Sequence, residues 1–239
     1  SVDGDGHYNG TATDSLGGTD TLVDISRVTG TDFNDFITGN DLENRLRGRN
    51  GADSILGDGG RDDLIGDGGN DTLDGGSGSD YVEGGDGDDS LIGGSGNDDL
   101  NGGHGSDIIN GGSGHDQIRT GAGEDTVNGG SGHDVIRFDN YDVGDTNHES
   151  TGVTVTLTAG IGSGTIDGTF GEDEYGDPQS VDATFQNIER IIGSHGADSF
   201  IATDGGFEGT SESDATFGGS TERSITFTGG RGADSFNIT

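Results

Sequence analysis

Aspartate recurs every nine residues along a central stretch of this chain. Asp53, Asp62, Asp71, Asp80, Asp89, Asp98, Asp107, Asp116, Asp125 and Asp134 are each nine apart, and Asp35 stands in the same phase with Asn44 between. Two positions after each comes an aliphatic residue, from Ile37, Leu46 and Ile55 through to Ile136. Carboxylates at fixed spacing could serve acid–base work or bind a metal. Acid–base catalysis needs two carboxyls in differing environments, whereas an array of equivalent ones suits ligation. The chain has no Cys, so no thiolate is on offer. The remaining donors are carboxylates and backbone carbonyls, which prefer a hard cation of flexible coordination. That points to calcium over zinc, which takes His or Cys, and over magnesium, which demands a stricter octahedron.

The elements that must position these carboxylates follow from the period. A nine-residue ruler laid from Gly30 runs without a gap to Arg137, giving twelve units. The first position is Gly in eleven units (Thr120 in the other), the fourth is Gly in ten (Phe33 and Leu42 break it), and the eighth is apolar in all twelve. The Gly-rich six residues of each unit form a turn, because glycine admits positive φ and close backbone approach. The last three, x-apolar-x, form a minimal strand with its middle side chain inward. A helix is excluded by the Gly density. Two units, or 18 residues, close one coil, so Asp of one unit lies over Asp two units on, about 4.8 Å away. One edge then runs Asp35, Asp53, Asp71, Asp89, Asp107, Asp125 and the other Asn44, Asp62, Asp80, Asp98, Asp116, Asp134. Five gaps per edge give ten cation sites at most, with the Asn44–Asp62 gap the weakest. Asp58, Asp67 and Asp86 sit in nearby turn positions, as further ligands or as solvated surface charge.

Composition demands such a cation. There are 53 Gly and 1 Pro, with 46 Asp and Glu against 10 Lys and Arg, for a formal net charge of -36. Hydrophobic residues are 25% of the chain. With so few apolar residues and so much charge of one sign, a chain without a bound partner stays unfolded. One aliphatic side chain per nine residues is a thin core, and stacked carboxylates repel. A cation between them reverses that repulsion. The polyanion disfavours nucleic acid and anionic membranes as partners, and no apolar run is long enough to span a bilayer. No leader is visible and no Met begins the chain, so a fragment or processed piece of a larger protein is expected.

The copies GGSGNDDLN, GGDGDDSLI and GDGGNDTLD resemble the RTX, or haemolysin-type, calcium-binding nonapeptide GGxGxDxUx. The resemblance implies an all-β fold, a parallel β-roll (a right-handed β-solenoid) with flanking β-strand caps. It implies roughly 8–10 calcium ions, held by Asp35, Asp53, Asp62, Asp71, Asp80, Asp89, Asp98, Asp107, Asp116, Asp125 and Asp134. It also implies a secreted, extracellular bacterial protein, exported by type I secretion machinery and folded on meeting external calcium. Phe33, Leu42 and Asn44 depart from the pattern and mark the first two units as a cap.

The flanks carry a second internal repeat. LVDISRVTGTDFNDFI (22–37) matches FQNIERIIGSHGADSF (185–200) at an offset of 163, and GGRGADSFN (229–237) repeats GSHGADSFI (193–201) at an offset of 36. Each reads as a lead-in to a run of roll. Between 138 and 192 the ruler fails, and VTVTLTAGIGSGTIDGTF alternates like two strands about a Gly-rich turn. The expected organisation is therefore 1–29 as N-terminal flanking strands, 30–137 as the twelve-unit roll, 138–192 as a non-repetitive β cap closed by Phe138, Tyr141, Phe170, Tyr175 and Phe185, and 193–239 as the start of a second, truncated RTX-like run. The acidic stretch 171–177 reads as a solvated loop, with one further calcium as the alternative.

No G-x-S-x-G, no H-E-x-x-H and no Cys is present, so no enzyme activity is expected. His115 and His133, 18 apart, stack one coil apart and read as solvent-facing variation before a transition-metal pair. The ninth column, Thr38, Arg47, Leu56, Ile65, Asp74, Glu83, is too irregular for an ice-binding row. The expected role is a structural or adhesive module of a larger surface or matrix protein, with cell-surface polysaccharide or self-association as candidate partners. The alternatives are an accessory module of a secreted enzyme such as an alginate epimerase, or the repeat region of an RTX toxin.

Overall fold

The computed structural model describes residues 26–137 continuously, and beyond them Ile188 and the strands that flank the roll. Every regular element among the described residues is a strand. Strands alternate between two parallel sheets, as the two-unit coil requires. The first sheet stacks Phe36–Asn40, Ser54–Asp58, Thr72–Ser77, Ser90–Ser95, Ile108–Gly114 and the latter half of Gln117–Gly132. The second stacks Arg27–Thr29, Arg45–Asn50, Asp63–Gly68, Tyr81–Asp86, Asp99–His104, the first half of Gln117–Gly132, and Val135–Arg137. Register holds at 18 residues throughout, as in Leu73↔Leu91↔Ile109↔Val127 and Leu64↔Val82↔Leu100↔Ile118↔Ile136. The roll is an all-β parallel β-solenoid.

The eighth column is the core. Its twelve aliphatic side chains, Ile37 to Ile136, are each no more than 1% exposed. The seventh and ninth columns point outward, so each sheet presents two rows to its outer side. On the first sheet these rows read Phe36, Ser54, Thr72, Ser90, Ile108, Thr126 and Thr38, Leu56, Asp74, Ile92, Asn110, Asn128. On the second they are rich in charge of both signs. There Arg45 pairs with Asp63 at 3.2 Å, and Arg119 pairs with Asp99 at 2.7 Å.

Glycine is needed in the turns for two separate reasons. At the fourth column, and at the second from Gly76 onward, φ is positive, for example +134° at Gly96 and +108° at Gly94. A side chain is strained there. Arg49, Asp58 and Asp67 nevertheless occupy the second column at φ of 88°, 79° and 75°. The first-column glycines have ordinary φ and are required by close approach alone, which also constrains the positive-φ glycines. A Cβ on Gly75 would lie 2.7 Å from Asp80 Oδ2 and 2.7 Å from the Gly93 carbonyl oxygen.

The flanking strands extend both sheets. Asn9–Thr13 and Thr19–Val23 form an antiparallel hairpin, and the former pairs antiparallel with Phe36–Asn40. Past the roll, Pro178–Gln186 joins the first sheet in parallel, and Arg190–Ile192 joins the second. The expected two-strand unit is present: Val153–Leu157 pairs antiparallel with Gly164–Glu172, which pairs in turn with Pro178–Gln186. The 163-residue repeat has a topological meaning. In each copy a short strand of the second sheet (Arg27–Thr29, Arg190–Ile192) precedes one of the first (Phe36–Asn40, Ser199–Ala202). From Arg190 onward the next parallel neighbour is 36 residues away, Ile191↔Phe227 and Phe200↔Phe236. The doubled period accommodates the antiparallel strands Phe207–Ser211 and Asp214–Phe217 within one coil. The side chains proposed to close a cap, and the acidic stretch beyond Glu172, lie outside the described residues.

Leu91 lies at the centre of the core with 0% exposure. Leu91→Ala is expected to lower the stability of the folded roll by about 2–5 kcal/mol. Ser90→Ala, on the outer side of the same strand, should change it by less than about 0.5 kcal/mol. Chemical denaturation in saturating calcium measures both.

Candidate metal-binding edges

Each sixth-column aspartate ends a turn and is drawn inward beneath the preceding rung. Asp53, Asp62, Asp71, Asp80, Asp89, Asp98, Asp107, Asp116, Asp125 and Asp134 are at most 2% exposed, and Asp35 is 8% exposed. Burial is tolerated because one carboxylate oxygen has a fixed partner. The backbone N–H of Asp53 donates to Asp71 Oδ1 at 2.7 Å, that of Asp71 to Asp89 at 2.8 Å, and that of Asp89 to Asp107 at 2.9 Å. The other edge repeats the pattern, from Asn44 N–H to Asp62 Oδ1 at 2.8 Å through Asp116 N–H to Asp134 Oδ1 at 2.9 Å. Stacked aspartates are thus joined through the main chain and do not face one another directly.

The second oxygen has no such partner. Oδ2 of Asp53, Asp62, Asp71, Asp80, Asp89, Asp98, Asp107, Asp116 and Asp125 is buried and accepts no hydrogen bond within the protein. In all of these but Asp125, whose unit begins with Thr120, it is turned toward the first-column glycine of its own unit, where the carbonyl oxygen of the first-column residue 18 further on also points. Asp62 Oδ2 and the Gly75 carbonyl flank the Cβ direction of Gly57, and Asp89 Oδ2 and the Gly102 carbonyl flank that of Gly84. An orphaned anionic oxygen beside a carbonyl, in a cradle that a methyl group would fill, fits a hard cation. Among the described residues no three His, Asp or Glu side chains converge on one point. The donor set is one carboxylate oxygen per unit together with backbone oxygens.

Burial raises the pKa of these groups. It pushes Asp62, Asp71, Asp89, Asp98 and Asp107 up to about 7, against the opposing pull of the backbone N–H each accepts, and with a further push from the neighbouring carboxylates. Asp125 is raised to about 6, and Asp53, Asp80 and Asp116 are raised by the same cause.

The first two units differ. Asp35 Oδ2 accepts from the backbone N–H and, at 3.0 Å, the hydroxyl of Thr31, so its second oxygen is satisfied within the chain. Asn44 Oδ1 accepts from Asn40 N–H at 2.7 Å. Asp67, a candidate extra ligand, is held instead by Arg47 through both carboxylate oxygens. Asp86 is exposed. His115 and His133 stack with ring centroids 5.3 Å apart, and His133 N–H donates to His115 Nδ1 at 2.9 Å. That bond belongs to a second ladder absent from the sequence reading. Fifth-column side chains accept from the fifth-column N–H two units on: Asn34 from Ala52, Asn70 from Asp88, Asp88 from Ser106, Ser79 from Asn97, and Asn97 from His115. The available signal was chemical: every side chain in these bonds can accept.

A parallel β-solenoid with buried, half-satisfied aspartates on both edges is a repeat scaffold whose donor set suits metal binding. Residues 38–73, 74–109 and 101–136 match the family of RTX calcium-binding nonapeptide repeats (4 copies), and this match supports a calcium-binding repeat module over residues 38–136. No curated protein matches the chain.

Asp71→Ala is expected to reduce the number of calcium ions bound, whereas Asp35→Ala, whose oxygen is already met by Thr31, should leave it unchanged. Isothermal calorimetry reads both. The raised carboxyls also set a pH dependence. The metal-free fold binds protons that the unfolded chain, with carboxyls near pKa ~3.9, releases. Without metal its stability is therefore greatest near pH 4 and falls as pH rises toward 7. Calcium needs the ionised groups, so the calcium midpoint should rise as pH drops from 8 to 6. Circular dichroism of metal-stripped protein from pH 4 to 7 tests the first sign, and calcium titrations between pH 8 and 6 test the second.

Proposed function

We propose that this chain is a non-catalytic, secreted calcium-binding region that folds on meeting extracellular calcium. It serves as a structural or adhesive module of a larger bacterial surface or matrix protein exported by type I secretion. The observation that carries this reading is the row of buried Asp Oδ2 atoms without a hydrogen bond. Leaving a buried polar group unsatisfied costs stability, and more so when it is charged. A fold with nine such groups in register needs a counter-charge in place. The number of these oxygens supports a complement of roughly 8–10 ions. A formal net charge of -36 keeps the calcium-free chain extended, which suits passage through a narrow channel, and millimolar calcium outside the cell then completes the roll. RTX repeats are typical of secreted proteins, and the lack of Cys is compatible with any redox setting.

A calcium titration followed by far-UV circular dichroism tests the proposal. The chain should be largely unfolded in chelator and gain strand signal cooperatively at about 0.1–1 mM calcium, the range of extracellular modules. A strand spectrum that chelator leaves unaltered would overturn it.

A further inference from the structure

The two outer faces of the roll differ sharply in charge. On the second sheet the outward rows from Arg27 to Arg190 carry nine charged residues, six Arg and three acids, in fifteen positions. On the first sheet the rows from Phe36 to Gln186 carry one, Asp74, in fourteen. The rest of that face is Ser, Thr, Asn and Gln, interspersed with Phe36, Leu56, Ile92 and Ile108. Phe36 is 47% exposed and Ile108 60% exposed. The rows continue unbroken past the roll, where Thr184 and Gln186 lie beside Thr126 and Asn128 and are themselves exposed.

We propose that this face is a self-association surface, and that its occupant is the same face of a second copy of the chain. The argument is electrostatic. With a net charge of -36, a second copy is repelled at long range, and at close range the acidic turns repel it most. The first sheet is the approach on which neither partner brings carboxylates to the contact, apart from Asp74. A cationic partner would be drawn to the acidic turns instead. Flat parallel sheets with uncharged outer rows can pack face to face at about 10 Å, and a two-fold interface needs only a self-complementary patch. Seven rungs at about 4.8 Å give a face roughly 30 Å long and only a few side chains wide. That is less than the ~800 Å² per partner of a stable interface, so the association is weak and concentration-dependent.

The proposal rests on the fold and not on the secretion or adhesive reading, and circular dichroism in calcium reports separately whether each protein has folded. Sedimentation equilibrium of the calcium-loaded chain from about 10 μM to 1 mM should show a monomer–dimer equilibrium. Ser90→Glu and Ile108→Glu, each placing charge on the face, should abolish the dimer while leaving the folded spectrum intact. Val135→Glu on the opposite sheet should associate as the unmodified chain does. Asp74→Asn, which removes the one charge, should shift the midpoint to lower concentration. A monomer at every concentration overturns the proposal, whatever else the face binds. So does a dimer that survives both glutamates, or one that Val135→Glu disrupts equally.

Discussion

The structure depends on one hydrogen bond repeated from rung to rung, from the backbone N–H of a sixth-column residue to Oδ1 of the aspartate 18 residues later. It fixes the carboxylate inside the turn and decides what its other oxygen can do. Held in this way, Oδ2 can neither reach solvent nor find a donor, and it carries charge into a space bounded by glycine and carbonyl oxygens. The core cannot offset that alone, since each unit contributes a single buried aliphatic side chain. On the proposed function, a cation is thus a structural component, taking the place that a larger apolar interior fills in other solenoids.

Much of this was legible in the sequence because period and chemistry coincided. The eighth column named the core without error, and the sixth named the buried carboxylates. The 18-residue coil followed from the need to turn alternate units to opposite sides. The glycine columns were legible as turns, but their two roles were not separable by residue type. The clue was that the second column accepts Arg49, Asp58 and Asp67, whereas the first admits only Thr120 in place of glycine. Charge-bearing side chains tolerate a left-handed backbone at some cost, whereas at the first column a Cβ meets a carboxylate and a carbonyl oxygen, and Thr120 is the one side chain found there.

Other features were hidden by the nine-residue ruler itself. Read down one column, Arg47, Leu56, Ile65 and Asp74 look disordered, because successive units belong to opposite sheets. Separated by sheet, one face is nearly uncharged and the other is laced with ion pairs such as Arg119–Asp99. The fifth-column ladder was missed since Asn, Asp, Ser and His share acceptor capacity and not identity. Thr31 carried no signal in the nine-residue pattern, although its hydroxyl lies where it can serve Asp35. The doubled period after Ser199 could not be read from the offset of 36 alone, which is equally compatible with two ordinary coils.

The two side-chain ladders run in opposite directions. Sixth-column carboxylates reach back to the N–H of the rung before, and fifth-column acceptors receive the N–H of the rung after. Every coil is therefore completed from both sides, and a coil at either extremity has one set of amides waiting. Such a scaffold cannot simply stop at an arbitrary length. Growth from either end always presents a template for the next coil, and termination has to be built from a different kind of segment. The antiparallel hairpin of Asn9–Thr13 and Thr19–Val23 against Phe36–Asn40 is a segment of that kind.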